Sequence, residues 1–190
     1  MRILTQTARH TSDALTARMV GPIVAAAALW SAPVWAAAQT GEIRCSVTTN
    51  GAPASGTIVV ERDGRDAAGG SCGTTISVPA GKWTATVRLD GALDNPSKKV
   101  EVTVTTGKAT PVRVDFQTGV LEVRIEAKGA SGTGMVTVNR GSKRIGTLGA
   151  GVAAQLSAGI YEVVVRYGGQ ERRYTVDLRP GQRRLVRAQF

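Results

Sequence analysis

The sequence predicts an all-β protein in which two tandem immunoglobulin-like β-sandwich domains follow an N-terminal signal peptide. Three observations lead to this prediction: an internal repeat, an alternation of apolar and polar residues along both copies, and an apolar segment near the N-terminus. The repeat is the most direct of the three. Residues 79–91, PAGKWTATVRLDG, align without a gap with residues 157–169, SAGIYEVVVRYGG, which lie 78 positions later. A repeat of that length is a whole domain.

The similarity extends on both sides of this stretch. TGEIRCSV (40–47) matches TGVLEVRI (118–125), and VEVTVTTGKATPVRVDF (100–116) matches YTVDLRPGQRRLVRAQF (174–190). Between these blocks the offset falls from 78 to 74, because LDGALDNPSKK in the first copy is longer than RYGGQERR in the second. We therefore predict a signal peptide at 1–38, repeat 1 at 39–118 and repeat 2 at 119–190.

Each copy has the period of half-buried strands, with apolar residues at every second position. About seven such runs per copy, separated by Gly, Pro, Asn and Asp, indicate a β-sandwich. Two segments, TGKA (106–109) and RPGQ (179–182), are predicted to be the last hairpin turns. The alternation also places Trp83, Tyr161 and Phe190 in the core, with an exposed ligand platform as the alternative for Trp83.

The N-terminal segment has the order of a secretory signal peptide. Residues 1–18 carry three arginines and one acid, an apolar run follows from 19 to 38, and the run ends in Ala36-Ala37-Ala38. We predict cleavage after Ala36 or Ala38, and a periplasmic or secreted protein. The run is long enough to span a bilayer, so a membrane anchor that is not cleaved is the alternative.

The last strands of repeat 2, LSAGIYEVVVRYGGQERRYTVDLRPGQRRLVRAQF, resemble those of bacterial PEGA and carboxypeptidase-regulatory-like domains. The shared pattern is an Ala-Gly-x-Tyr-x-Val-x-Val strand, a strand ending in a glycine-containing turn, and a final apolar strand. The chain is also similar to the tandem sandwich repeats of exported proteins that carry a von Willebrand A domain, although that domain is absent here. The resemblance implies an extracytoplasmic, non-catalytic sandwich and transfers no site residues.

Composition removes several classes of chemistry. The one histidine, His10, lies in the predicted signal, so the mature chain lacks Ser-His-Asp catalysis and histidine-ligated zinc. We predict no enzyme activity, no cofactor and no metal. In an exported protein, Cys45 and Cys72 predict a disulfide. A reactive thiol is the alternative, but it needs a basic neighbour. Val123 and Ala150 replace the pair in repeat 2.

Acidic side chains gather in two loops of repeat 1, one with Asp63 and Asp66 and one with Asp90, Asp94 and Asn95. They are candidate calcium ligands, but neither loop has the spacing of a calcium-binding loop. Turn formation explains the same residues.

Charge is divided unequally between the copies. Repeat 1 carries 9 basic and 8 acidic side chains, net +1, whereas repeat 2 carries 12 basic and 5 acidic ones, net +7. Four arginines of repeat 2 are expected to project away from the core and form a candidate anion-binding face: Arg173, Arg179, Arg183 and Arg187. The alternative is a solvated face without a ligand.

These observations predict a non-catalytic envelope protein that acts as a structural or protein-binding module. The alternative is a module that binds an anionic envelope polysaccharide or lipid through the arginine face. The expected partner is an envelope protein or an anionic envelope component. Nucleic acid is not expected, because export and the lack of exposed aromatic residues both disfavour it.

Overall fold

Fifteen β-strands make up the residues that the computed structural model describes, which are 39–127 and 134–190. The predicted signal peptide lies outside the described residues. Repeat 1 contains eight strands: β1 (Thr40–Thr49), β2 (Ala52–Ala54), β3 (Gly56–Arg62), β4 (Arg65–Ser71), β5 (Thr75–Pro79), β6 (Gly81–Leu89), β7 (Ser97–Val104) and β8 (Ala109–Phe116).

The described part of repeat 2 contains seven strands. They are β9 (Thr118–Glu126), β10 (Met135–Arg140), β11 (Lys143–Gly149), β12 (Ala153–Ser157), β13 (Gly159–Tyr167), β14 (Gln170–Leu178) and β15 (Arg183–Gln189). Every strand of repeat 1 other than the short β2 has a counterpart at the expected offset in repeat 2, and the positions equivalent to β2 lie outside the described residues. The predicted all-β class with tandem sandwiches is confirmed.

The two repeats share one strand order. In repeat 1, β1 pairs with β2, β5 and β8, and the opposing sheet has the order β4-β3-β6-β7. In repeat 2, one sheet has the order β12-β9-β15 and the other the order β11-β10-β13-β14. The first and last strands of each repeat run parallel as neighbours, with Cys45 opposite Val112 and Val123 opposite Val186.

Apart from the short β2, the first strand of each repeat pairs with the last strand and not with the next long one, β3 or β10, whereas in a constant immunoglobulin domain the first strand pairs with the second. It also corrects the prediction of two final hairpin turns. Residues 105–108 and 179–182 connect strands that lie in different sheets, so each turn crosses from one sheet to the other. The alternating pattern could not reveal this, because it is the same for every order of strands.

The buried residues form two separate clusters, one for each repeat. Trp83 is 7% exposed and Tyr161 is 1% exposed, which confirms the predicted core positions. Phe190 is only partly buried against the second cluster. The described residues nevertheless belong to one compact unit, so the two cores are joined by a structured contact.

Candidate functional site

The four arginines predicted to bind anions all point away from the core, but they do not share one face. Arg173 lies on β14, whereas Arg183 and Arg187 lie on β15 in the opposing sheet. Arg179 lies in the turn between those strands. The outward faces of the two sheets of a sandwich look in opposite directions. The four arginines therefore lie on both sides of the sandwich, and anion binding by them stays a prediction.

Each of the four arginines also has a carboxylate partner within the chain. The four ion pairs are Arg173 with Glu171 (2.8 Å) and Glu162 (3.2 Å), Arg179 with Asp177 (3.5 Å), Arg183 with Glu122 (2.7 Å) and Arg187 with Glu126 (3.6 Å). Sequence spacing did not reveal these partners, because three of the five lie on neighbouring strands. An incoming anion would compete with carboxylates that are already in place.

The shortest of these ion pairs is that of Arg183 with Glu122, on the outward side of β9. The Glu122 side chain is only 7% exposed, because Arg183 binds one carboxylate oxygen and Arg124 binds the other, at 2.7 Å and 2.8 Å. The hydrogen bond from Arg183, followed by that from Arg124, lowers the pKa of Glu122. Arg124 was not among the predicted site residues. Its partner two positions earlier, Glu122, is the signal that could have identified it.

A second network lies on the opposite sheet. Glu171 accepts hydrogen bonds from Arg166 at 2.8 Å and from Arg173 at 2.9 Å. These bonds lower the pKa of Glu171, and the bonds to Glu171 and Glu162 raise the pKa of Arg173. Two arginines and two glutamates cancel in charge, so this network does not present a net positive surface.

An arginine covers the large aromatic residue at the same end of each core. The Arg62 guanidinium lies 3.8 Å from the centre of the Trp83 ring, and Arg140 lies 5.5 Å from that of Tyr161. Each arginine also approaches a glycine at the start of the aromatic strand, Gly81 or Gly159, where a Cβ atom would meet the guanidinium. Glycine is needed there for its positive φ of 140° or 151°, whereas the guanidinium could shift away from an added Cβ atom. Both contacts stabilise the end of a sandwich.

The predicted disulfide is confirmed in repeat 1. Cys45 and Cys72 are bonded and lie 27 positions apart in sequence. Cys45 is central in β1, and Cys72 follows β4, which is an edge strand of the opposing sheet. The bond therefore links the two sheets. Closing a loop of this length contributes about 3–4 kcal/mol through the entropy of the unfolded chain.

The loop that lengthens repeat 1, between β6 and β7, contacts repeat 2. The backbone N–H of Leu93 donates to the carbonyl of Gln155 at 2.8 Å, and Ala92 forms a parallel bridge with the same residue. The Leu93 side chain packs against the core of repeat 2 beside Gly146. Repeat 1 thus adds a short strand segment and an apolar side chain to its neighbour.

Asp94 completes this contact, which we call the joint. Its carboxylate accepts the backbone N–H of Ser157 at 3.2 Å and lies 3.4 Å from the Tyr161 hydroxyl, which itself donates to the Ser157 carbonyl at 2.8 Å. Burial, and then the negative charge of Asp94, raise the pKa of Tyr161 to about 12. The calcium interpretation loses a candidate ligand here, because the carboxylate already holds the two repeats together.

The turn between β1 and β2 fixes the other side of the joint. Asn50 has a φ of 51°, as the first position of a type I′ turn requires. Its side chain donates to the Thr118 carbonyl at 2.9 Å and accepts the Thr118 N–H at 3.1 Å. Asp115 accepts hydrogen bonds from the Thr48 hydroxyl and the Gly51 N–H, which lower its pKa.

A groove of about 460 Å³ lies beside Trp83 in repeat 1, where Glu61, Lys82, Glu101 and Thr103 contribute to its lining. It is open and mixed in charge, and the indole itself is buried. In the parts of the chain that the structure describes, no group of three or more acidic, histidine or cysteine side chains is arranged to hold a metal ion. The same parts contain no helix that is long and apolar enough to cross a bilayer.

No protein-family model and no curated protein matches the chain. Among solved structures it is similar to the Bacillus anthracis TIE protein, with 13% identity and a TM-score of 0.39 over 80% of this chain and 34% of that one. It therefore spans about a third of the length of that protein. A candidate adhesin from Bacteroides ovatus matches with 7% identity and a TM-score of 0.41, over 82% and 93% of the two chains. Similarity at this level does not identify a family.

Proposed function

We propose that the chain is an exported, non-catalytic tandem β-sandwich that acts as a structural or protein-binding module of the bacterial cell envelope. The joint supports this proposal most directly. Polar side chains that loops usually present to ligands, Asn50 and Asp94, instead bind repeat 1 to repeat 2. A chain that uses its loops in this way is suited to hold two surfaces at a fixed spacing.

Two further features agree with an exported module. The Cys45–Cys72 disulfide is a bond typical of oxidising compartments, and the basic, apolar and small-residue order of residues 1–38 is that of a signal peptide. The resemblance to PEGA and carboxypeptidase-regulatory-like repeats supports the same location. The ion pairs of Arg173, Arg179, Arg183 and Arg187 count against the alternative of an anion-binding arginine face.

The test combines location with the joint. Cells that lack the protein would be complemented with the wild type, with Asp94→Ala, or with Asp90→Ala as a control in the same loop. We expect the protein outside the cytoplasm with both thiols oxidised. We also expect Asp94→Ala to restore envelope resistance to detergent less well than Asp90→Ala. A cytoplasmic protein with free thiols, or full complementation by Asp94→Ala despite a loosened joint in X-ray scattering, would overturn the proposal.

A further inference from the structure

The charge excess of repeat 2 does not lie at the predicted arginines. All five of its carboxylates, Glu122, Glu126, Glu162, Glu171 and Asp177, form ion pairs with arginines of the same repeat. Five basic residues in the described part of repeat 2 form no ion pair there: Arg140, Lys143, Arg144, Arg172 and Arg184. Three of these five lie within five positions of each other, at the hairpin between β10 and β11.

We call Arg140, Lys143 and Arg144 the basic tip. The tight turn makes Arg140 and Lys143 register partners whose side chains share one face of the hairpin, whereas Arg144, opposite Asn139, projects from the other face. Lys143 and Arg144 are exposed. Arg140 is held in place, because its guanidinium donates to the Ala158 carbonyl at 3.3 Å and lies over Tyr161. Like charges this close repel one another unless an anion contacts them.

An exposed apolar residue lies beside the basic tip. Ile160 is 64% exposed, the highest value among the large apolar residues that are exposed in the described chain. It directly follows Ala158 and Gly159, the two residues that the Arg140 side chain contacts. Isolated exposed apolar residues are common. This one lies opposite Asp177, which is paired with Arg179, and follows the backbone that Arg140 contacts, so it offers an apolar group beside the basic tip to a ligand with both acidic and apolar groups.

Repeat 1 contains the same hairpin without this chemistry. The turn between β3 and β4 carries Arg62, Asp63, Arg65 and Asp66, so its charges cancel. Lys82 occupies the position of Ile160, 78 residues earlier. The Arg62 guanidinium lies over the Trp83 ring as the Arg140 guanidinium lies over the Tyr161 ring. The two hairpins thus share their conformation and the arginine that covers the aromatic ring. The combination of basic and apolar surface residues occurs at the hairpin of repeat 2 and not at that of repeat 1.

We propose that the basic tip and Ile160 form the docking surface for an acidic protein segment that carries apolar side chains. This inference rests on the proposed function, for which it names the surface and the chemistry of the partner. Ile160 lies beside the joint, where the Ala158 N–H donates to the Gln117 carbonyl. An extended peptide fits beside such a joint, whereas a flat bilayer would also have to accommodate repeat 1. The exposed isoleucine favours a peptide over a glycan, which offers few apolar side groups.

The test is fluorescence anisotropy of the full mature chain with a short labelled peptide of glutamates interspersed with leucines. At about 20 mM sodium chloride, where screening is weak, Lys143→Gln with Arg144→Gln is expected to weaken binding about tenfold, the combined effect of two exposed charge contacts. Arg65→Gln in repeat 1 is the matched control and is expected to leave binding unchanged. Ile160→Ser is expected to weaken binding of this peptide but not that of one with serines in place of leucines.

A gain-of-binding variant sharpens the test. Asp63→Gly with Asp66→Arg and Lys82→Ile gives repeat 1 the pattern of the basic tip, and is expected to create a second site. Equal weakening by Arg65→Gln, or binding only to phosphatidylglycerol vesicles or to alginate, would overturn the inference. Absence of peptide binding by the folded wild-type protein would overturn it as well. These failures leave the proposed function in place, because complementation by the Asp94 variants reports on the joint and not on the tip.

Discussion

Repeat 1 and repeat 2 have the same strand order, but only repeat 1 has a disulfide. In repeat 1, the Cys72 N–H donates to the Gly56 carbonyl and the Gly73 N–H donates to the Cys45 carbonyl, both at 2.8 Å. In repeat 2, Ala150 donates to Gly134 at 3.3 Å and Gly151 to Val123 at 2.7 Å. The backbone hydrogen bonds at this point are therefore equivalent in the repeat with the disulfide and in the repeat without it. The disulfide stabilises a conformation that hydrogen bonds and packing already specify.

The second difference between the repeats is the loop after the aromatic strand. In repeat 1 this loop runs from 90 to 96 and reaches the neighbouring core through Leu93. In repeat 2, Gly168 and Gly169 join β13 to β14 directly, with φ angles of 53° and 77°. Only repeat 1 has the extra residues needed to contact the next domain. The longer loop is thus the feature that allows repeat 1 to contact repeat 2.

The largest expected effect comes from removing the aromatic ring at the core of repeat 2. Tyr161→Ala empties a site that is 1% exposed and also breaks the contact with Asp94. We expect a loss of about 3–5 kcal/mol in the free energy of unfolding, the usual cost of such a cavity. Urea unfolding followed by circular dichroism measures it. Tyr161→Phe, which keeps the ring, is expected to lose much less unfolding free energy. Equal losses in the two variants would mean that the hydroxyl, and not the ring, provides the stability.

The disulfide offers the next test, because repeat 2 supplies the replacement residues. Cys45→Val with Cys72→Ala is expected to fold and to lose about 3–4 kcal/mol, confined to repeat 1. The reciprocal variant, Val123→Cys with Ala150→Cys, is expected to form a bond and to stabilise repeat 2. Hydrogen exchange resolves the two repeats. If the double variant of repeat 1 fails to fold, the backbone hydrogen bonds beside Cys45 and Cys72 depend on the disulfide.

A smaller effect is expected at the joint. Asp94→Ala removes the acceptor of the Ser157 N–H and a longer contact with the Tyr161 hydroxyl, which keeps its bond to the Ser157 carbonyl, at a cost of about 1–2 kcal/mol. We expect the unfolding transition to broaden as the repeats become less coupled, and the radius of gyration in X-ray scattering to increase. Asp90→Ala serves as the control, since that side chain is exposed. Identical behaviour of the two variants would mean that apolar contacts alone hold the joint.

The smallest expected effect concerns acid stability. The pKa of Glu122 is lower in the folded protein than its ordinary value, because Arg183 and Arg124 bind the charged form. Such a group stabilises the fold above its ordinary pKa, and this contribution is lost as the pH falls through the lowered value. Glu122→Gln should therefore reduce the loss of stability as the pH falls below the ordinary carboxyl pKa of 4.5, measured as the urea midpoint. Glu42→Gln on β1 is the control, and an equal reduction in both variants would argue against a special role for Glu122.

Alternation and the internal repeat predicted the strands and the core positions of Trp83 and Tyr161, and the predicted export of a chain with two cysteines gave the disulfide, because these depend on local pattern and on residue type. They did not predict that β8 pairs with β1, since pairing order leaves no trace in the period of a strand. They also predicted that Arg173 and Arg183 lie on one face. A turn reverses the chain direction whether the two strands it connects lie in one sheet or in opposing sheets, so the sequence pattern is the same. Whether such a turn stays within a sheet or crosses between sheets is decided by long-range packing.

The parallel pairing of the first and last strands determines how each repeat responds to tension. A chain that enters along β1 and leaves along β8 is pulled at opposite ends of two adjacent strands. The hydrogen bonds between them are then strained together in shear, and not opened one after another. In repeat 1 the disulfide also keeps the 27-residue stretch from extending, which shortens the chain released on unfolding by about 90 Å. Under the same pull, repeat 2 extends over its whole length.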